Sequence, residues 1–74
     1  MYWKSKPNLT NRVYERRKKC GLTQVELANL ASVTRQTIIS LEKGDYVPSV
    51  ALALKLAETL DTNVERLFIL KEDK

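Results

Sequence analysis

The segment TQVELANLASVTRQTIISLEKG, Thr23 to Gly44, decides the fold. It contains two short amphipathic stretches that are separated only by Ser32-Val33-Thr34. Thr23 and Glu26 have the spacing of a capping box, in which the hydroxyl accepts from the Glu26 N–H and the carboxylate reaches back to the Thr23 N–H. We therefore predict that a helix begins directly after Thr23.

The second stretch carries its own start and stop signals. Thr34 can cap its beginning, and Gly44 can end it because glycine readily adopts left-handed backbone. Ile38 and Leu41 share one face at i, i+3 spacing, which predicts that this face is buried. Two helices joined by so short a turn cross at a large angle, and the first supports the second so that its outer face projects. The segment is therefore predicted to be a helix-turn-helix, at about residues 23–43.

Residues that interrupt helices divide the rest of the chain into three more helical stretches. The first, residues 10–19, ends before Gly21 in a basic run, which suits the negative end of a helix dipole. Ser49 can cap a fourth helix, and Asp61 or Thr62 can cap a fifth. The apolar spacing of the fourth helix predicts a buried side that includes Val50, Ala53, Leu56, Ala57 and Leu60.

The two ends of the chain have weaker signals. Phe68-Ile69-Leu70 is apolar and partly β-branched, so it could extend the fifth helix or form a short strand, which Tyr2-Trp3-Lys4 could face. We expect an all-α, five-helix domain with or without short terminal β-strands. Its predicted parts are an N-terminal arm or strand (1–8), the helical domain (9–68) and a C-terminal tail or strand (69–74).

Composition limits the kinds of function. The chain has 74 residues, one cysteine and no histidine, which excludes an internal disulfide, a thiolate zinc cluster and a Ser-His-Asp triad. We therefore expect no enzyme activity, no cofactor and no metal. The sequence has no apolar run of membrane-spanning length and no apolar signal-peptide core, so we expect a cytoplasmic protein without a membrane partner.

Charge is distributed unevenly along the chain. Residues 1–43 carry nine Lys/Arg against three Asp/Glu, whereas residues 44–74 carry four against six. A basic face for nucleic acid is one interpretation, although a charge run alone is more often a solvated surface. Charge therefore does not decide the function by itself.

The residues of the motif resemble those of a known family. The resemblance continues through Pro48-Ser49-Val50 to Leu60 and through Val64 to Phe68, and it covers residues 9–68. This part of the chain is similar to the lambda Cro/C1-type repressors, also called the xenobiotic response element family, and most of all to their compact stand-alone members. The resemblance implies a lambda-repressor-like, five-helix fold. The motif residues that carry it are Gln24, Leu27, Ala28, Val33, Thr34, Arg35, Gln36, Thr37, Ile38, Leu41, Glu42 and Gly44.

Two positions of the scaffold depart from the family pattern. Ser32 stands where the turn often has glycine, and we expect the turn to survive because serine reaches left-handed backbone at a cost of about 1 kcal/mol. Arg16 stands where the family often has leucine. We expect its stem to lie on the core and its head to reach solvent or phosphate.

The outer face of the second motif helix is the predicted base-reading surface. Gln36 and Ser40 share this face, and Arg35 lies in the first turn. In a major groove glutamine suits adenine, arginine suits guanine, serine is permissive, and Ile39 could touch a thymine methyl. Arg35 could instead lie in solvent or on a phosphate, and Ile39 could belong to the edge of the core. The predicted base-reading residues are Arg35, Gln36, Ile39 and Ser40.

Phosphate contacts supply most of the affinity for DNA and fix the register. By resemblance, Gln24 at the start of the first motif helix and the residue at Lys43 contact the DNA backbone. Several hydroxyl groups nearby are further candidates, and Lys6 and Arg12 add positive charge. The predicted phosphate contacts are Thr23, Gln24, Thr34, Thr37, Lys43 and Tyr46.

The resemblance also implies contacts within and between copies of the domain. Arg17 and Glu42 are expected to form an ion pair that ties the first helix to the end of the third; the alternative is two independent surface charges. The family dimerises, usually through its last helix, so the expected partners are double-stranded DNA and a second copy. The apolar residues predicted at the dimer interface are Leu52, Val64, Leu67, Ile69 and Leu70.

The leading interpretation is a dimeric transcriptional repressor that reads an inverted repeat with the helix starting near Thr34. Two alternatives on the same fold stay open. One is an antitoxin that binds DNA and also a toxin, and the other is a protein-interaction module without a DNA function. An enzyme is disfavoured, because the chain has no histidine and no Gly-rich phosphate loop.

Overall fold

The computed structural model describes residues 9–71. These residues form five short helices and a two-stranded antiparallel ribbon. Over the same range, no helix has the length and apolar character needed to cross a bilayer. The elements in chain order are β1 (Leu9–Asn11), α1 (Val13–Lys19), α2 (Gln24–Ala31), α3 (Arg35–Lys43), α4 (Val50–Thr59), α5 (Val64–Leu67) and β2 (Phe68–Leu70).

Side-chain caps determine where the three central helices begin. Ahead of α2, the Glu26 N–H donates to Thr23 Oγ1 at 3.0 Å and the Thr23 N–H donates to Glu26 Oε1 at 2.8 Å. Thr34 caps α3 by accepting from the Thr37 N–H at 3.2 Å, and Ser49 caps α4 in the same way. Each cap satisfies an N–H that the first turn of a helix leaves unpaired. The predicted starts of α2, α3 and α4 are confirmed.

The turn between α2 and α3 depends on one left-handed residue. Ser32 has φ 60° and ψ 42°, and beyond it the Val33 N–H donates to the Ala28 carbonyl at 3.0 Å. This bond closes the end of α2 and directs the chain into α3. The expectation that serine can serve at this position is confirmed. Gly44, with φ 82°, ends α3 at the predicted residue.

A single apolar core lies between the helices. α2 contacts both α3 and α4, α1 contacts α3, and α5 contacts α4. Both motif helices thus bury a side in the same core, which fixes their relative orientation. The largest fully buried side chains are Leu27, Ile38, Leu41, Leu56, Leu60, Leu67 and Val13.

The ribbon confirms the strand suggested at residues 68–70 and moves the start of the first helix. Residues 68–70 form the strand β2 and do not extend the fifth helix. β2 pairs with β1 so that Thr10 lies opposite Ile69. The first helix begins at Val13 rather than at residue 10, because the residues before it form β1. The strand suggested at residues 2–4 lies outside the described part of the chain.

Two predictions about the last helices are wrong. Val50 was expected in the core but is 77% exposed, whereas Leu52 is buried and only 9% exposed. The cap of α5 is Asn63 rather than Asp61 or Thr62. Asp61 takes a left-handed backbone (φ 57°) directly after α4, so it belongs to the end of that helix and not to the start of the next.

Candidate nucleic-acid interface

α3 has a buried side and a polar outer side. Ile38 and Leu41 have no exposed surface, and together they place the helix on the core. Arg35 and Gln36 are exposed, and Ser40 is half-buried. The Gln36 Nε2 lies 3.5 Å from the Ser40 Oγ, which is long for a hydrogen bond and therefore easily exchanged for a bond to another partner. The structure thus brings these three predicted base-reading residues together on one accessible helix.

Ile39 lies at the border between the two sides of α3. It is half-buried, unlike its fully buried neighbour Ile38. It therefore contributes part of its side chain to the edge of the domain and leaves part accessible beside Gln36.

The predicted phosphate-contact residues surround the outer side of α3. Thr34 and Thr37 lie at its start, with their hydroxyl oxygens 3.1 Å apart, and Lys43 and Tyr46 are exposed at and beyond its end. Thr23 is exposed at the start of α2. The capping oxygen of Thr34 already accepts from a backbone N–H, but a hydroxyl can still donate its own hydrogen. The helix N-termini and the Lys43 ammonium therefore offer donors that suit phosphate oxygens.

Gln24 has a partner within the protein. Its Nε2 donates to Glu42 Oε1 at 3.2 Å, so the start of α2 lies against the C-terminal end of α3. The amide carries a second N–H, which remains a potential donor to phosphate. Gln24 thus connects the predicted phosphate surface with the scaffold beneath it.

Arg17 and Glu42 form a two-point ion pair. Arg17 Nε donates to Glu42 Oε2 at 2.7 Å and Nη2 donates to Oε1 at 3.2 Å, and the side chains are only 8% and 7% exposed. A third donor, Arg17 Nη1, reaches the Leu22 carbonyl at 2.9 Å, and the guanidinium lies 5.2 Å from the centre of the Tyr14 ring. The expected pair is therefore present, and it joins α1, the turn after α1 and the end of α3.

The hydrogen bond to Glu42 raises the pKa of the Arg17 guanidinium, and burial opposes this effect without reversing it. The guanidinium thus stays charged over the whole range in which DNA binding is measured. A charge-assisted, two-point bond of this kind is stronger than a neutral one and fixes orientation as well. The pair consequently acts as scaffold for α3.

Arg16 departs from its prediction. Its Nη2 donates to the Leu60 carbonyl at 2.8 Å and to the Asp61 carbonyl at 3.0 Å, so its head binds the backbone of the domain itself. These carbonyls close α4, where the unpaired C=O groups attract positive charge. The stem does run along the domain as expected, since Arg16 is half-buried. The partner lies on a distant helix, and no local pattern in the sequence indicates it.

Asn11 makes two structural hydrogen bonds that were not predicted from the sequence. Its Nδ2 donates to the Leu41 carbonyl at 2.9 Å, and its Oδ1 accepts from the Val13 N–H at 3.1 Å. The second bond is a local turn in which an asparagine caps the start of a helix two residues later. That pattern could have indicated a helix start at Val13; the bond to α3 could not have been found without the fold.

The predicted dimer residues differ in exposure. Leu67 is fully buried and Leu52 nearly so, so both pack in the core of one copy and leave little surface for a second copy to contact. Val64 and Ile69 are half-buried, whereas Leu70 is 66% exposed. On α4, Val50 and Leu54 are also exposed, although neither was predicted at the dimer interface.

A shallow groove lies between α4 and α5. Leu54 and Val64 contribute to its walls, together with Ala57 and the acidic residues Glu58 and Glu65. The lining thus combines apolar side chains with two carboxylates. This composition contrasts with the outer side of α3, where Arg35 and Lys43 are exposed.

Comparison with known proteins agrees with this geometry. A family model described as helix-turn-helix (HTH_3) matches residues 13–67, which contain all five helices. The chain belongs to the Cro/C1-type helix-turn-helix family of DNA-binding transcriptional regulators.

Relatives of this regulator occur in archaea and bacteria. It is 55% identical over 62 residues to an uncharacterised HTH-type transcriptional regulator of Methanothermobacter thermautotrophicus, with 82% of this chain and 90% of that protein covered. It is 43% identical over 65 residues to the uncharacterised HTH-type regulator YgzD of Bacillus subtilis, with coverage of 88% and 98%. Both relatives are therefore small proteins that match over nearly their whole length.

Solved structures show the same architecture. The restriction-modification controller protein C.AhdI of Aeromonas hydrophila has a TM-score of 0.69 and 34% identity, with 74% of this chain and 83% of that chain covered. A chain of the SinR protein/SinI protein complex has a TM-score of 0.67 and 31% identity, with coverage of 72% and 52%. The fold of this regulator is therefore lambda-repressor-like.

Proposed function

We propose that this regulator is a dimeric repressor that reads an inverted repeat through the outer side of α3. The observation that supports this most directly is the arrangement of α3, with Ile38 and Leu41 fully buried beneath exposed Arg35 and Gln36. A major groove admits one helix, and base edges present donors and acceptors that glutamine and arginine match with two bonds each. In this proposal Gln36 is the principal base-reading residue, and Arg35, Ile39 and Ser40 assist it.

The proposed contacts to the DNA backbone come from residues around the outer side of α3. Thr34 and Thr37 lie at the start of α3 and Lys43 at its end, so the proposal assigns them to phosphates at the two rims of the groove. Thr23 and Gln24 present the start of α2 to the neighbouring phosphates, and Tyr46 adds a hydroxyl after α3. Such contacts hold the protein in register, while base contacts supply the specificity.

The proposed dimer follows from the size of the domain. A single small module covers only about 600–1,000 Å² of protein surface on DNA, which is little for a specific site. Pairing about a two-fold axis places two α3 helices in half-sites one turn apart. We propose that a second copy covers apolar residues of α4, α5 and the ribbon that are exposed or half-buried, namely Val50, Leu54, Val64, Ile69 and Leu70.

Footprinting on the DNA directly upstream of the gene for this protein tests the reading surface. The wild-type protein should protect an inverted repeat. Gln36→Ala should weaken specific binding by about 1–3 kcal/mol, the range of one good base contact. Asn29→Ala is the matched control, because Asn29 is an exposed amide on α2 that does not belong to the proposed surface. Its footprint should equal that of the wild type.

The same experiment distinguishes the alternative function. Weak DNA binding that is independent of sequence and unaffected by Gln36→Ala would favour a protein-interaction module on this fold.

Analytical ultracentrifugation tests the dimer separately. Leu54→Glu places a charge on the proposed apolar contact, so it should shift the protein towards monomer and shorten the footprint to a half-site. A wild type that remains monomeric on its DNA would contradict the proposed pairing.

A further inference from the structure

We infer that Asn11 is a positioning residue that fixes the end of the DNA-reading helix α3 on the terminal ribbon. Within residues 9–71, it is the one side chain of β1 that forms a hydrogen bond to α3. Its two side-chain bonds go to two different elements, α3 and α1. The inference rests on the proposed function, because it concerns how the reading surface is aimed.

The bond to α3 lies at the end of that helix. The Leu41 carbonyl accepts from Asn11 Nδ2 at 2.9 Å and also from the Gly44 N–H at 3.0 Å. Leu41 is fully buried, so its carbonyl is poorly placed to use water in place of the amide. Asn11 therefore adds a second hydrogen bond to one of the last carbonyls of α3, whose other donor is the N–H of the capping residue Gly44.

Asn11 is itself held rigidly. It pairs with Phe68 in the ribbon, and the next residue, Arg12, donates its N–H to the Leu67 carbonyl at 2.9 Å. Phe68 in turn packs against the core. The side chain of Asn11 thus extends from a backbone that is fixed to the end of α5.

These contacts connect the proposed dimer contact with the proposed reading surface. Ile69 and Leu70 are in the same strand as Phe68 and are proposed to meet the second copy. The path from that contact to α3 is short: one strand pairing and one side-chain bond. Arg17 and Glu42 also hold the end of α3, but they tie it to α1 rather than to the ribbon. Asn11 therefore sets the orientation of α3 relative to the partner copy, and with it the preferred separation of the two half-sites.

Asn11→Asp is the sharpest variant. An aspartate keeps an oxygen that can accept from the Val13 N–H, so the start of α1 is preserved. It removes the donor to Leu41 and sets a carboxylate oxygen against the carbonyl. Arg16→Met is the matched control, because it also removes side-chain hydrogen bonds to carbonyls at the end of a helix, but that helix is α4 and not α3.

Operators selected from a random library with the wild-type protein supply the first readout. Affinity is measured for the selected repeat and for versions with one base pair added or removed at the centre. Asn11→Asp should reduce the ratio of the affinity for the preferred spacing to the affinity for the altered spacing by about fivefold or more. This is the size of effect that the loss of one matched base pair has. Arg16→Met should leave this ratio unchanged even though it lowers the thermal stability.

Amide hydrogen exchange supplies a second readout that does not need DNA. Asn11→Asp should accelerate exchange of the Gly44 and Asp45 amides, which close α3, by about fivefold relative to the rest of the core, as expected when one hydrogen bond is lost. Arg16→Met should leave these two amides as protected as other core amides.

The outcomes separate the two levels of inference. A wild-type protein that selects no repeat overturns the proposed function, and the exchange of Gly44 and Asp45 then still tests the position of α3. A wild type that selects a repeat, together with an Asn11→Asp variant whose spacing ratio and exchange match those of Arg16→Met, overturns the role of Asn11 alone.

Discussion

The two sides of α3 are held in place by very different means. On the inner side Ile38 and Leu41 have no exposed surface, and Glu42 accepts hydrogen bonds from two other side chains. On the outer side Gln36 is exposed and makes one long bond, at 3.5 Å. Substitutions on the inner side should therefore act on folding and those on the outer side on binding, so the two effects can be measured separately.

The largest expected effect comes from the inner side. Arg17→Ala leaves the Glu42 carboxylate buried and deprived of its cation, which should lower the free energy of unfolding by about 3–5 kcal/mol. For a domain of this size such a loss approaches the whole stability. Urea unfolding followed by circular dichroism measures it.

Lys19→Ala is the matched control for that change. Lys19 is an exposed cation at the end of the same helix, so its removal should alter stability by no more than about 0.5 kcal/mol. Because the Arg17 pKa is raised, the stability that comes from the charge of the guanidinium is fully present below the ordinary arginine range and is lost only as the pH rises beyond it. A loss of unfolding free energy in Arg17→Ala that equals the Lys19→Ala effect, or that varies with pH near neutrality, would show that the ion pair does not hold α3 in place.

The same division explains what the sequence could predict. Within the motif, the caps Thr23 and Thr34, the end at Gly44 and the buried pair on α3 all follow from local rules, because each contact joins residues close in the chain. The structure has every one of them. The exposure of Gln36 follows in turn, since it lies away from the buried positions on the same helix.

Contacts between distant segments could not be predicted in this way. Arg16 ends on carbonyls 44 and 45 residues away, and Asn11 on one 30 residues away. The exposure of Val50 and the burial of Leu52 have the same origin, because both residues fit an apolar pattern and only the packing of α4 against the other helices decides which one is covered. The pair of Arg17 with Glu42 was available only through the resemblance to a known family.

The next largest effect is expected at the outer side. Lys43→Gln should remove one phosphate contact, which lowers the slope of log K against log[salt] by about 0.9. At moderate salt this corresponds to about 1 kcal/mol of affinity, lost equally for specific and non-specific DNA. Binding titrations at several salt concentrations measure both quantities.

Lys55→Gln is the control for the charge itself. Lys55 is exposed on α4, away from the proposed surface, and the substitution changes the net charge by the same amount. Equal slopes for the two variants would mean that Lys43 acts through the overall charge and not through a contact. Neither variant should change the free energy of unfolding appreciably, because both side chains are exposed.

The smallest effect concerns the turn that leads into α3. Ser32 has a left-handed backbone, which is unfavourable for a residue with a Cβ and neutral for glycine. Ser32→Gly should therefore raise the free energy of unfolding by about 0.5 kcal/mol, after part of the gain is offset by the greater freedom of glycine in the unfolded chain. Ser32→Ala retains the Cβ and should give no gain. If both variants stabilise the domain equally, the serine hydroxyl is the cause and the backbone is not; if neither does, the turn stores no measurable strain.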